Sequence, residues 1–440
     1  MAEILIAALS PIGHVNPLLS VAQDLAARGD RVTVMSGAAH ASAIRAVGAV
    51  PHLLPPIADF DDSRFDSSQR QRVSGIGALS LALIRVFLAP MAHQAAELKA
   101  AMANTRFDAI IVDYGFFGIL PLLLGNAADR PPVLYYTPTP PLLSSRDTAP
   151  GGTGLPPGRG RWGRLRNRAL NTWSQRVVLR RAHCAANAIL ASMGVRRLPM
   201  FLLDVGVLAD RFIVPTVPSF EYPRSDLPAN VRFVGAVHPR PTRAYVPPHW
   251  WSELDGRRPV VHVTQGTVDN ADLTRLIEPT IEALREEDVV VVATTGGREL
   301  KRPLPSNTYV AEYIPHDALL PRVDVMVTNG GYGAVQRAVS TGVPLVVAGS
   351  TEDKPEVAAR VAWSGAGIDL RTGTPSPAMI RRAVREVLDD ARYLRRAREL
   401  EAAFARRDGI AEIAALVDEV TRERRPASPP RNSAGASWTT

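Results

Sequence analysis

Apolar residues near the start of the chain switch repeatedly between a strand pattern and a helix pattern. Residues 3–8 form a short apolar run that predicts a first strand. From Pro17 to about Arg28, Leu18, Val21, Ala22 and Leu25 recur at helical spacing, and Gly29 ends the helix. A strand over 31–35, a helix over 38–47 and a strand over 50–54 follow. Strands separated by single helices imply a parallel sheet covered on both faces.

Residues 59–74 are polar and irregular, and 77–103 predict a long helix. Further buried-type strands are expected at 109–112 and 132–136. Residues 137–160 are rich in Pro, Gly, Ser and Thr and read as a flexible binding loop or lid. An arginine-rich helix follows, then a Pro-punctuated connection over about 215–248. The alternation restarts with strands at 260–264, 289–294, 323–328 and 344–348. Helices are expected at 273–284, from Tyr332, over 377–405 in two segments, and over 410–423. The fold class is α/β, with two doubly wound halves of about 200 residues each. The expected boundaries are 1–220 for the first domain, 221–256 for a linker and 257–408 for the second domain. A helix over 409–423 is expected to pack back on the first domain, and 424–440 to form a disordered tail.

Charge changes this picture in one place. The 440 residues carry 51 basic and 43 acidic side chains, net +8. Residues 159–181 hold eight arginines and no acid, so the remainder is balanced at 43 against 43. A nucleic-acid binder spreads its basic face over its domains, so no nucleic-acid partner is expected. Lys99, Lys301 and Lys354 are the only lysines, an arginine bias that fits a high-GC bacterial genome. Cys184 stands alone, which rules out an intramolecular disulfide and a four-cysteine zinc site. With no signal-like N-terminus and no run of about 18 apolar residues, a cytoplasmic location is expected.

Ligands of doubly wound sheets sit beyond the carboxyl ends of the strands. After the first strand comes Ser10-Pro11-Ile12-Gly13-His14-Val15-Asn16-Pro17. Gly13 permits a tight turn there, and His14 stands just before a helix. Asp113 ends the fourth strand, where its carboxylate could fix the His14 tautomer and make a general base. The plainer alternative has Asp113 capping a helix and His14 packing. In the second half, Gly266-Thr267 and Asn329-Gly330-Gly331-Tyr332-Gly333 each follow a strand. Glycines opening a helix let backbone N–H groups approach a phosphate. Together the two runs point to a nucleotide diphosphate, although neither matches GxGxxG or GxxxxGK[ST].

These residues resemble the inverting, nucleotide-sugar-dependent glycosyltransferases with two Rossmann-like domains. That group (GT-B type) holds bacterial macrolide and antibiotic glycosyltransferases and is related to plant UDP-glycosyltransferases. The resemblance spans about residues 3–420. It rests on PIGHVNP, Tyr313-Ile314-Pro315-His316, Asn329 to Gly333, Gly342-Val343-Pro344 and Glu352-Asp353-Lys354, in that order. It implies that the two domains face a central cleft, the first binding the acceptor and the second the nucleotide sugar. It also implies that His14 deprotonates the acceptor, held by Asp113. On the donor side it implies that Thr267 binds the β-phosphate, Tyr313 with Ile314 takes the base, and Asp353 binds sugar hydroxyls. No metal or other cofactor is implied, since backbone N–H groups and helix dipoles would take up the leaving charge. The chain departs from the family pattern at four positions. Asn329 replaces a phosphate-binding histidine and Ala334 a Ser or Thr. Arg337 replaces a ribose-binding glutamate, and Lys354 replaces a glutamine. Lys354 therefore either has a side-chain role at the donor site or is a solvated helix start.

The arginine-rich segment carries one apolar stripe, Trp162, Leu165, Ala169, Trp173 and Val177. A helix packed on the first domain with its arginines in water is the favoured expectation. An anionic membrane or an acidic partner is the alternative. The expected function is transfer of a sugar from a UDP- or TDP-sugar to a small apolar natural product. Residues 59–90 and 137–160 would line the acceptor pocket. The alternatives are a non-catalytic nucleotide-sugar-binding protein and a membrane-surface transferase acting on a lipid.

Overall fold

The computed structural model describes residues 1–59, 78–238, 245–266 and 270–424. Among these residues the chain builds two parallel sheets. The first has seven strands in the order β3-β2-β1-β4-β5-β6-β7. They are β1 Glu3–Ala7, β2 Arg31–Ser36, β3 Val50–Leu53, β4 Ala109–Asp113, β5 Val133–Tyr136, β6 Arg211–Val214 and β7 Val231–Phe233. The second has six, in the order β10-β9-β8-β11-β12-β13. They are β8 Val260–Thr264, β9 Val290–Thr294, β10 Thr308–Ala311, β11 Val325–Thr328, β12 Leu345–Val347 and β13 Gly367–Asp369.

Alternation decides the layers. Along β1, Leu5 and Ala7 join one core while Ile4 and Ile6 join the core on the opposite face. Helix α1 (Ile12–Ala27) covers that second face with Val15, Leu18, Val21, Ala22 and Leu25. Helix α2 (Met91–Asn104) covers the first face. The helix expected over 77–103 is interrupted just before α2, where Pro90 lacks an N–H and a turn of π-helix (Leu83–Leu88) precedes it. The span Leu79–Asn104 is long and apolar enough to cross a membrane by length and composition. Its Leu88, Met91 and Leu98 nevertheless belong to the first domain's core. Helix α4 (Arg180–Ser192) adds Ala182, Ala186 and Leu190 to the same core, and helix α3 (Gly160–Trp173) precedes it in the chain.

The crossing between domains differs from a single linker. After β6, Val217 and Phe220 enter the core of the second domain, and the chain then returns to place β7 in the first sheet. It crosses again at Trp250, which packs in the second core. Strand β7 is three residues long, too short to signal itself among the prolines of the expected linker. In the second domain, α5 (Tyr332–Ser340), α6 (Lys354–Ser364), α7 (Pro377–Asp389) and α8 (Ala391–Ala405) cover the sheet. The last helix, α9 (Gly409–Arg424), puts Ile410, Ile413, Val417 and Val420 into the α1 core of the first domain. Arg424 ends this helix, and 425–440 lie outside the described residues.

Both sheets reverse their winding at one place, between β1 and β4 and between β8 and β11. A crevice opens where loops leave in opposite directions, and that is where doubly wound sheets bind ligands.

Candidate active site

His14 lies at the first crevice. Helix α1 starts at Ile12, so His14 is in its first turn rather than ahead of it, and Pro17 lies inside the helix. Gly13 is helical and makes no left-handed turn; the space beside its Cα is open, with nothing within 4 Å of a Cβ placed there. Asp113, the last residue of β4, is fully buried. Both of its oxygens lie 2.9 Å from His14 Nδ1. An N–H on Nδ1 donates to that carboxylate, which leaves Nε2 as the basic nitrogen. The Tyr114 ring lies nearly parallel to His14, and Phe87, from the π-helical turn, is tilted against it. Burial and the Asp113 charge raise the Tyr114 phenol well above its ordinary value, so it is a neutral hydroxyl.

At the second crevice, two Thr-X-Gly turns repeat one geometry. Gly266 N–H bonds to Thr264 Oγ1 at 3.3 Å, and Gly330 N–H bonds to Thr328 Oγ1 at 3.3 Å. Both glycines have positive φ, 72° and 87°, a region costly for other residues. Asn329 joins the two loops, with its amide donating to the Gln265 carbonyl at 2.5 Å and its oxygen accepting from Gly331 N–H at 3.4 Å. One of the two Asn329 amide N–H groups is thus engaged in locking the loops. Gly331 caps α5, and open space adjoins Gly333 in its first turn. A small cavity beside these loops is lined by Gln265, Arg275, Asn329, Ser350 and Lys354. Thr267 lies outside the described residues.

Tyr313 is 69% exposed, a ring face open to stacking. Ile314 is buried, with its side chain in the second domain's core. Burial holds the neighbouring His316 near pKa 3 and His262 near 4, so both are neutral at pH 7. Arg337 is ion-paired with Asp317. Lys354 is not a solvated helix start: it is 4% exposed, and its ammonium contacts Glu352 and Thr351. Glu352 carries φ 57°, a left-handed conformation rarely adopted away from glycine and often found at functional sites.

The Asp353 carboxylate feels the charges of Lys354 and Glu352 and, least, of His14 in the first domain. Desolvation raises it from 3.8 to about 6, partly countered by Lys354. A carboxyl raised on folding adds stability in its protonated form, and that stability is lost as pH rises from 3.8 through about 6. Asp353→Asn should therefore flatten the fall in thermal midpoint over that window. An unchanged pH profile of stability would place Asp353 in water.

The loop at 137–160 is pinned, contrary to its composition. Ser145 Oγ and Arg146 N–H bond to Asp226 at 2.6 and 2.8 Å, and Arg224 reaches the carbonyls of Leu143 and Pro141 at 2.7 and 2.9 Å. Asn171 of α3 donates to the carbonyls of Ser145 and Thr148. Gly154 N–H donates to Glu356 of α6 at 2.8 Å, so the loop bridges the two domains. The sequence reading missed Gln265, Arg275, Tyr114 and Glu356. Tyr114 and Gln265 adjoin residues already singled out, a usable signal, whereas Arg275 and Glu356 carry none. Among the described residues no three His, Cys, Asp or Glu side chains cluster as metal ligands.

Comparison with known proteins agrees with this geometry. Residues 278–420 match the family described as Erythromycin biosynthesis protein CIII-like, C-terminal domain. The 4'-demethylrebeccamycin synthase of Lentzea aerocolonigenes is 43% identical over 423 residues, covering 95% of this chain and 99% of that protein. UDP-glycosyltransferase 2 of Phaeomoniella chlamydospora is 37% identical, with 95% of each chain covered. The crystal structure of the glycotransferase of kitacinnamycin superposes with a TM-score of 0.73 at 22% identity, covering 96% of this chain and 99% of that one.

Proposed function

The chain belongs to the GT-B glycosyltransferases of the macrolide and antibiotic type, and on that premise we propose that it is an inverting, metal-independent enzyme. It moves a sugar from a UDP- or TDP-sugar to a hydroxyl of a small apolar acceptor. The observation that carries this reading is the buried Asp113 holding His14 by both oxygens at 2.9 Å, with Asp353 in electrostatic reach across the cleft.

The chemistry follows from that arrangement. The acceptor hydroxyl gives its proton to His14 Nε2 as its oxygen bonds to the anomeric carbon. Asp113 holds the ring and balances the imidazolium that forms. The bond from the anomeric carbon to the diphosphate breaks on the opposite face, so an α-linked donor gives a β-linked product. The departing diphosphate meets the N-terminal turn of α5, where the helix dipole favours negative charge. Phe87 and Tyr114 form an aromatic wall beside the base, which suits an apolar acceptor.

A panel of UDP- and TDP-sugars is incubated with an acceptor library, with and without EDTA. Products are read by mass spectrometry and anomeric coupling by NMR. A β-linked product from an α-linked donor, unaffected by EDTA, is expected. An α-linked product or loss of turnover in EDTA would overturn the mechanism. Donor binding without turnover on any acceptor would point to a non-catalytic binding protein.

Lys354 supplies a second check. Its buried ammonium lines the donor cavity beside Asn329, a neutral side chain that cannot supply charge there. Lys354→Gln should raise the donor KM about tenfold to a hundredfold, the cost of one charged hydrogen bond, while the acceptor KM stays within about twofold. An unchanged donor KM would confine Lys354 to its Glu352 pair.

A further inference from the structure

The apolar stripe of the arginine-rich segment faces water. Trp162 is 76% exposed, Leu165 57%, Trp173 46% and Val177 55%. The face of α3 turned to the protein is polar instead: Asn167 and Asn171 are buried, and their amides bond to the carbonyls of Arg146, Ser145 and Thr148. This inverts the usual surface helix, whose apolar side faces the core. The helix thus sits on the first domain with exposed arginines, as in the favoured expectation, but it makes its contact through Asn167 and Asn171 and not through the stripe.

The arginines divide by role. Arg164 pairs with Asp147, and Arg166 bonds to the Pro156 carbonyl and Asn167, so these two hold the helix in place. Arg161, Arg168, Arg176 and Arg180 are exposed and have no acidic partner among the described residues. The stripe runs about 22 Å along the axis, at 1.5 Å per residue, with cationic side chains beside it and a tryptophan near each end.

We propose that this face is a docking surface for an anionic lipid bilayer. Tryptophan favours the boundary between headgroups and acyl chains. Arginine can lay its apolar stem along that boundary while its guanidinium reaches lipid phosphates. A helix with an apolar stripe flanked by cations lies in the plane of such an interface. A second copy of the chain fits poorly, since a two-fold contact through this face would set arginines against arginines. The excess of eight arginines with no acid in 159–181 makes an anionic surface the complementary one. The face is separate from the transfer chemistry, although α3 begins where the 137–160 loop ends.

The full chain is floated with vesicles of phosphatidylcholine alone or of phosphatidylcholine with phosphatidylglycerol, at low and high salt. Wild type should float with the anionic vesicles at low salt and much less with neutral ones. The quadruple substitution Arg161→Gln, Arg168→Gln, Arg176→Gln and Arg180→Gln should lower the bound fraction at least about tenfold, as loss of polybasic attraction predicts. Trp162→Ser with Trp173→Ser should also lower it, and should remove any vesicle-induced blue shift of tryptophan fluorescence. These side chains are exposed and none belongs to a core cluster, so thermal midpoints and turnover of a soluble acceptor should match wild type. Absence of flotation on anionic vesicles, or equal flotation of the variants, would overturn the proposal. So would a dimer in sedimentation that the tryptophan variants dissociate, or retention on an acidic polypeptide without vesicle binding.

Discussion

His14→Ala should lower kcat/KM for sugar transfer by about a hundredfold to ten-thousandfold, the usual contribution of a positioned general base. The side chain has one buried carboxylate on Nδ1 and aromatic rings around it, all from the first domain. Donor affinity measured by calorimetry should therefore stay within about twofold, because its binding groups lie on the other sheet. Asp113→Asn separates two roles. An amide in that place can still touch Nδ1 but cannot enforce the tautomer or balance the imidazolium, so most of the loss should reappear with the ring in place. Retained transfer in His14→Ala would remove the histidine from the chemistry. A collapse of donor binding in the same variant would mean that the two halves of the cleft are not independent.

What could be read from the sequence was local. Strand β1 and helix α1 announce themselves because the apolar period changes within a few residues, and PIGHVNP lies at the change. Strands β6, β7, β10 and β13 escaped the pattern, and length alone does not explain it, since β3, β5, β11 and β12 are as short and were legible. The rest failed because partners distant in sequence decide it. The 137–160 segment looks flexible by composition, yet its ties run to Asn171, Arg224, Asp226 and Glu356. Lys354 was ambiguous because its burial depends on loops that only the fold brings together. The stripe of α3 has the right spacing for a packed face, and periodicity alone cannot tell a face that meets the core from one that meets solvent. The His14–Asp113 pair was legible because each residue ends or follows a strand, and the switch between β1 and β4 makes those strands neighbours.

Arg360→Leu should destabilise the second domain by about 3–5 kcal/mol, the cost of stripping a buried ion pair of one partner. Arg360 is 1% exposed. Its guanidinium binds Glu221 from the interdomain segment at 2.7–2.9 Å and Glu356 from its own helix at 2.7 Å. It also lies over the Tyr222 ring at 4.2 Å. Burial disfavours its charge, but Glu221, Glu356 and Tyr222 together outweigh that and hold its pKa above the ordinary value. Leucine would leave two carboxylates facing each other out of water, and the lower midpoint should show in denaturant unfolding followed by fluorescence. The damage should also reach the acceptor side, because Glu356 uses its other oxygen to hold Gly154 of the acceptor loop. Acceptor KM should rise more than donor KM. The double variant Arg360→Leu with Glu221→Leu distinguishes a charge effect from lost packing. It removes one stranded carboxylate, so it should recover part of the stability that the single variant loses. A double variant that loses the sum of both single effects would show that shape, rather than charge, holds this junction.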